Sequence, residues 1–172
     1  MTKIQIPLQE GFFLFLKTMK TNAVRILEAK KIPHSTFEYE SNEEELDAVS
    51  VAQKINAEPE SVFKTLVARN ENNEINVFVI PGNFELDLKK AAKASGSKSI
   101  EMIKVKELQP LTGYIRGGCS PIGMKKSFPT YIDETAQLHE LIYVSAGMRG
   151  MQLQISPIDL AKVTETEFFD LI

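Results

Sequence analysis

Residues 111–123 read Leu-Thr-Gly-Tyr-Ile-Arg-Gly-Gly-Cys-Ser-Pro-Ile-Gly, and a second glycine-bearing turn, Ser-Ala-Gly-Met-Arg-Gly, follows at residues 145–150. Glycine permits positive φ angles and has no Cβ that would keep a ligand away from main-chain N–H and C=O groups, while Pro121 restrains the chain after Ser120. Four glycines in this run, set between apolar segments, indicate a pocket wall built from backbone. A bulged hairpin connection is the alternative that the spacing leaves open.

The composition predicts a single globular domain. The chain has 172 residues, of which 43% are hydrophobic and 25% charged, and these values are typical of one compact domain. No apolar run approaches the roughly 18 residues of a membrane span, so no membrane association is expected. The only cysteine, Cys119, excludes an intrachain disulfide, and the expected location is the cytoplasm. Two histidines without paired ligand spacing predict no metal, and no cofactor is expected.

The charge of the chain gives little guidance to a partner. A net charge of -3 provides no global field that would attract a polyanion, so any nucleic-acid contact must use local basic clusters. The candidates are Lys89, Lys90 and Lys93, then Lys104 and Lys106, then Lys125 and Lys126 with Arg116 and Arg149. The alternative for each cluster is that its basic side chains lie on an ordinary solvent-exposed surface and bind no partner.

Hydrophobic periodicity and capping residues predict a mixture of helices and strands. Helices are expected to begin near Thr21, Asp47, Asp87, Lys104 and Ser156. Strands are expected over residues 34–40, 62–68, 75–80, 130–133, 141–144, 150–155 and 168–172. Because the two kinds of element do not alternate strictly, the pattern favours a single α+β domain over a doubly wound parallel fold.

Lys64 is the most informative single charge in the chain. It interrupts the apolar strand predicted over residues 62–68, so its ammonium group must reach solvent, pair with a carboxylate or face a polar cavity. Tyr39, on the strand predicted over residues 34–40, is expected either in the core or in a pocket wall.

Protein-based nucleophilic catalysis finds little support in the sequence. Ser120 precedes a proline and lies outside a strand-nucleophile-helix elbow, and neither His34 nor His139 has a recognisable setting as its base. Cys119 could act as a nucleophile if a cation lowered the pKa of its thiol, but packing beneath the glycine-rich loop is the favoured interpretation.

The chain resembles the YbaK/EbsC family of aminoacyl-tRNA deacylases over nearly its whole length. The motifs that carry the resemblance include Phe-Lys-Thr-Leu at residues 63–66, Leu-Asp-Leu-Lys-Lys at 86–90, Gly-Gly-Cys-Ser-Pro-Ile-Gly at 117–123, Ile-Tyr-Val-Ser at 142–145 and Ser-Pro at 156–157. Residues 1–18 fall outside it, which predicts an N-terminal extension followed by a deacylase domain at residues 19–172. We expect translation to begin at Met19; an extra strand or arm is the alternative.

The resemblance implies a compact α+β domain related to the editing insertion of prolyl-tRNA synthetases. Its expected fold is a mixed, mostly antiparallel sheet curled into a partial barrel with flanking helices. The implied reaction is hydrolysis of mischarged aminoacyl-tRNA, mainly Cys-tRNA(Pro) and also Cys-tRNA(Cys), with no cofactor. The implied partners are the acceptor end of proline tRNA and prolyl-tRNA synthetase.

The resemblance also assigns roles to individual residues. It implies that Lys64 orients the terminal adenosine and the ester, while Gly117 and Gly118 offer main-chain groups to the reacting centre. The implied substrate-binding residues are Tyr39, Thr65, Ser120, Ser145, Gly147 and Arg149. Cys119 replaces the aliphatic residue that is usual at its position, a change that could alter the shape of the pocket.

Two other functions remain open from the sequence. The same pocket could belong to a catalytically silent module that binds a tRNA end or a nucleotide, because a fold alone does not fix an activity. The chain could also be a deacylase for alanine or serine esters, which would differ only in pocket volume.

Overall fold

The computed structural model describes residues 20–172. The predicted extension at residues 1–18 and the expected start at Met19 lie outside the described residues. No helix within residues 20–172 is both long and apolar enough to cross a membrane.

Between residues 20 and 172, five α-helices begin where the sequence predicts helix starts. Their bounds are α1 Asn22–Ala29, α2 Ala48–Lys54, α3 Leu88–Ser95, α4 Val105–Thr112 and α5 Pro157–Val163, with short 3₁₀ turns at Pro59–Ser61 and Glu134–Leu138. The side chains of Thr21, Asp47, Asp87 and Ser156 each accept hydrogen bonds from N–H groups of the first turn of α1, α2, α3 and α5. These bonds satisfy donors that a helix start would otherwise leave unpaired, which fixes the four helix starts.

The strands in the described part of the chain form two sheets. They are β1 Ser35–Glu38, β2 Phe63–Asn70, β3 Ile75–Pro81, β4 Ile100–Met102, β5 Thr130–Asp133, β6 Ile142–Ser145, β7 Met151–Ile155 and β8 Phe168–Phe169. The three-stranded sheet has the order β1-β7-β6 and is antiparallel throughout. The five-stranded sheet has the order β4-β2-β3-β5-β8, with β3, β5 and β8 parallel and the other pairs antiparallel.

This arrangement confirms the α+β class and the mostly antiparallel pairing. In place of one curled sheet there are two, and they do not close into a barrel. An isolated bridge, Val62 to Tyr143, joins the entry of β2 to β6 and brings the two sheets together at that point.

The main core lies between the two sheets and α1. Val79 and Ile132 of the five-stranded sheet pack in one cluster with Val144 and Leu153 of the three-stranded sheet and with Leu27 of α1, and all five are fully buried. Burying one such aliphatic side chain stabilises the fold by about 1.5–3 kcal/mol. The core therefore holds the two sheets in a fixed relation, with β2 and β6 side by side.

The start of α2 packs directly on the backbone that follows β3. A Cβ built on Gly82 would lie only 1.9 Å from the Cβ of Ala48, and the Gly82 N–H donates to the Val62 carbonyl at 2.8 Å. Only glycine permits so close an approach. As a result, the first turn of α2 stands over the entry of β2.

Candidate active site

A cavity of about 440 Å³ lies where the two sheets meet. Its walls come from β2, from the facing ends of β6 and β7, from the segment leading into α2, and from the glycine-rich stretch. The residues that carry its polar chemistry are Glu43, Glu44, Asp47, Lys64, Thr65, Arg116, Gly117, Cys119, Ser145 and Gln152. A volume of this size is within the range of about 300–1,000 Å³ that is typical of small-molecule sites.

Lys64 lies in the second position of β2 and lines this cavity. Its side chain is 27% exposed, and its Nζ is 3.7 Å from Oε1 of Glu85, whose own side chain is 96% exposed. An ion pair with so exposed a carboxylate is weak, because water screens it. Of the three settings that the sequence left open for Lys64, the polar cavity is therefore the dominant one.

The two glycine turns pack against each other around Tyr114. A Cβ on Gly118 would lie 3.0 Å from the Arg149 backbone nitrogen, and a Cβ on Gly147 would lie 2.9 Å from the Tyr114 ring. The Tyr114 hydroxyl donates to the Ile122 carbonyl at 2.6 Å. Residues 113–129 contain no strand, so the hairpin interpretation is wrong and the pocket-wall interpretation stands.

Gly117 is the glycine of this wall that lines the cavity. Its φ angle is +84°, and a Cβ there would lie 2.8 Å from Cδ2 of Leu46. The Gly118 N–H is already bonded to the Ile115 carbonyl at 2.9 Å. Of the Gly117–Gly118 pair, Gly117 is therefore the residue that faces the cavity.

The structure brings some of the predicted site residues together and separates others. Lys64, Thr65, Gly117 and Ser145 line the first cavity. Tyr39 and Arg149 line a second cavity of about 600 Å³, and Arg149 Nη1 lies 3.3 Å from Glu43 Oε1 at the wall of the first. Gly118, Ser120 and Gly147 line neither cavity.

Ser120 has a structural partner inside the loop. It is fully buried, and its hydroxyl oxygen accepts the Ile122 N–H at 3.3 Å. Gly118 and Gly147 make the close backbone contacts that join the two turns. Direct contact of these three residues with substrate stays a prediction.

The ionisable groups near the cavity do not form a nucleophile and base pair. Burial raises the pKa of the Cys119 thiol to about 12, so it stays protonated at neutral pH and packs with Tyr114. His34 and His139 line neither cavity. Within residues 20–172, no three His, Cys, Asp or Glu side chains converge as metal ligands do.

Gln152 is a site residue that the sequence analysis missed. It lies opposite Ser145 in the β6–β7 ladder, lines the first cavity and is 5% exposed. Its Oε1 and the Oγ1 of Thr65 are both buried without a hydrogen-bond partner among the described residues. Alternation of polar and apolar residues places Gln152 and Gln154 on one face of a strand. A strand face with polar side chains usually faces solvent, so the sequence pattern gave no reason to place Gln152 in a cavity.

Comparisons with known proteins place the chain in a family. A family model described as the aminoacyl-tRNA editing domain matches residues 42–163. EbsC of Enterococcus faecalis, named as a Cys-tRNA(Pro)/Cys-tRNA(Cys) deacylase, is 51% identical over 152 residues, which cover 88% of this chain and 93% of EbsC. A proline–tRNA ligase of Shouchella clausii is 26% identical over 117 residues, which cover 68% of this chain and 20% of the ligase.

A solved structure agrees with these matches. A crystal structure described as that of a trans-editing enzyme for prolyl tRNA synthetase superposes with a TM-score of 0.75 at 25% identity, covering 90% of this chain and 98% of that chain. The family resemblance read from the sequence is confirmed. The chain belongs to the aminoacyl-tRNA editing domain family.

Proposed function

We propose that this protein is an aminoacyl-tRNA deacylase that removes cysteine from mischarged proline tRNA and also from cysteine tRNA. The observation that carries the proposal is the inter-sheet cavity, in which Lys64, Thr65, Gly117 and Ser145 come together in a chain of the editing family. The printed activity of EbsC, the relative that is 51% identical, supports the same substrate class.

Lys64 is the group that we assign to the ester. Its side chain is partly buried, and its ion-pair partner among the described residues is weak and screened by solvent. The ammonium group can therefore attract the carbonyl oxygen as negative charge develops there. Gly117 forms a side-chain-free wall next to it. Together these groups orient an ester that is already activated, and positioning and charge stabilisation then lower the barrier without a protein nucleophile.

The attacking group comes from the substrate or from water. Cys119 is the only thiol in the chain, and the high pKa of about 12 that burial gives it keeps it protonated. In the substrate route, the sulfur of the esterified cysteine bonds to its own carbonyl carbon, the ester C–O bond breaks, and the thiol proton ends on the ribose oxygen. Water then opens the cyclic thioester to free cysteine. Proline has no thiol, so Pro-tRNA(Pro) is spared.

We infer that the protein acts in the cytoplasm, on the acceptor end of proline tRNA, beside prolyl-tRNA synthetase. The similarity of this chain to part of a proline–tRNA ligase supports the association. The net charge of -3 also supports it, because a weakly acidic domain gains from a partner that holds the tRNA.

A panel of labelled aminoacyl-tRNAs tests the proposal. Purified protein is incubated with cysteinyl-, alanyl-, seryl- and prolyl-tRNA(Pro) and with Cys-tRNA(Cys), with and without prolyl-tRNA synthetase. We expect release of cysteine from both tRNAs and the buffer rate for proline. Faster release of alanine or serine than of cysteine would assign the other ester class, and binding without hydrolysis would assign the silent module.

A further inference from the structure

Gln152 has a buried acceptor that the protein itself does not use. The side chain extends from β7 into the inter-sheet cavity, is 5% exposed, and has no hydrogen-bond partner for Oε1 among the described residues. Burial of an unpaired polar atom destabilises a fold, and such atoms are rare in native proteins. A ligand that enters the cavity would supply the missing partner.

The other glutamine on the same face of β7 has a hydrogen-bond partner within the protein, unlike Oε1 of Gln152. Gln154 shares the face of Gln152, and its Nε2 donates to the Tyr143 hydroxyl at 2.9 Å. The alternate residues Met151, Leu153 and Ile155 belong to the main core. Of the two glutamines, one is therefore satisfied within the protein, whereas the other lines the cavity and has a buried oxygen without a partner among the described residues.

We propose that the Gln152 amide oxygen binds the α-ammonium group of the esterified amino acid, so that the enzyme requires a free amino group and rejects N-acylated esters such as peptidyl-tRNA. This inference rests on the proposed deacylase function. It adds a second level of selection, on the amino group, to the selection on the side chain.

The ammonium group is the donor that best fits this acceptor. An aminoacyl ester offers it as its only cation, and hydrogen bonds to charged groups are about twice as strong as neutral ones. A thiol is a weak donor by comparison. Rotation of the amide can exchange its oxygen and nitrogen, but only the oxygen can accept from an ammonium group.

The carboxylates around the cavity are either occupied or exposed. The Asp47 carboxylate accepts the N–H and the hydroxyl of Ser50, at 2.9 and 2.6 Å. Glu43 pairs with Arg149 and is 87% exposed, while Glu44 is also exposed. Among the described residues of the cavity, Gln152 Oε1 and Thr65 Oγ1 are the acceptors that are both buried and unpaired. The Thr65 hydroxyl can also donate, whereas the amide oxygen of Gln152 can only accept.

The surroundings of Gln152 also oppose N-acylated substrates. An acyl group on the amino nitrogen removes its positive charge and leaves one N–H donor. It also adds bulk beside Gln152, a residue that is only 5% exposed.

The test compares Cys-tRNA(Pro) with N-acetyl-Cys-tRNA(Pro) in four proteins: the wild type, Gln152→Leu, Gln152→Glu and the matched control Gln154→Leu. The wild type should prefer the free amine by at least tenfold. Gln152→Leu should lose about ten- to a hundredfold in kcat/KM on the free amine only, the range expected for one hydrogen bond to a charged group. Gln152→Glu, which keeps an acceptor, and Gln154→Leu should both retain the preference.

Thermal unfolding separates binding from a structural role. Because Oε1 is unpaired, Gln152→Leu should unfold at the same or a higher temperature than the wild type. Equal losses on both substrates, a lower midpoint, or an unchanged preference in Gln152→Leu would each overturn the inference. If the wild type leaves Cys-tRNA(Pro) intact, the proposed function itself fails, and this inference fails with it.

Discussion

Replacing Lys64 by alanine removes the one lysine that lines the inter-sheet cavity within the described residues. Loss of a single group that stabilises a developing oxyanion typically lowers kcat by about 10²–10³. The folded state loses much less, because the one ion pair that Lys64 forms within residues 20–172 is 3.7 Å long and its partner Glu85 is 96% exposed. Such pairs contribute about 0–1 kcal/mol, so the melting temperature should fall by no more than about 4 °C.

Single-turnover deacylation of Cys-tRNA(Pro) measures the loss of catalytic rate in Lys64→Ala, and thermal unfolding measures the fall in its melting temperature. Lys64→Met keeps most of the aliphatic stem, so it should match Lys64→Ala in activity while unfolding closer to the wild type. Lys162→Ala is the matched control, because Lys162 is 72% exposed and forms a similarly long pair of 3.9 Å with Asp159. A Lys64→Ala protein that stays folded and deacylates within threefold of the wild type would refute the assigned role of Lys64.

Three further substitutions test the walls of the site. Gly117→Ala should lower the free energy of unfolding, measured by urea titration, by about 1–2 kcal/mol, since its φ of +84° disfavours a side chain. Adding Leu46→Ala removes the side chain that the new Cβ would meet. If the φ angle is the cause, the double variant should be no more stable than Gly117→Ala. Cys119 should react with iodoacetamide near pH 8 roughly a thousandfold more slowly in the folded than in the urea-unfolded protein, because burial raises the pKa of its thiol to about 12. Cys119→Ala should keep most activity. Rapid alkylation of the folded protein with loss of activity would contradict this expectation. Gly82→Ala should destabilise the domain by about 1–3 kcal/mol through overlap with Ala48, and an unchanged denaturation midpoint would show that α2 does not pack there.

Local chemistry explains why most helix and strand positions could be predicted. Asp87 and Gly96 delimit α3 because one accepts the first free N–H groups and the other adopts the left-handed conformation, with a φ of +65°. A run rich in β-branched residues likewise predicted β3, and alternation of polar and apolar residues predicted β7. These signals act over a few residues, so they can be read without knowing how the rest of the chain folds, and the structure confirms them.

What the sequence could not predict depends on contacts between distant segments. Strand β4, Ile100–Met102, was missed because three residues carry no periodicity and only pairing with β2 makes them a strand. The two-sheet arrangement brings together residues far apart in the chain, such as Val62 and Tyr143 at the bridge between the sheets. The burial of Gln152 follows from that arrangement, so no local pattern could reveal it.

The position of a bound substrate analogue tests the central claim most directly. A crystal structure with cysteine joined to adenosine through a stable amide in place of the ester would locate the acyl group. The account predicts that this group lies in the inter-sheet cavity, with its carbonyl oxygen within hydrogen-bonding distance of Lys64 Nζ and beside Gly117. An acyl group bound outside that cavity, for instance between Tyr39 and Arg149, would contradict the account.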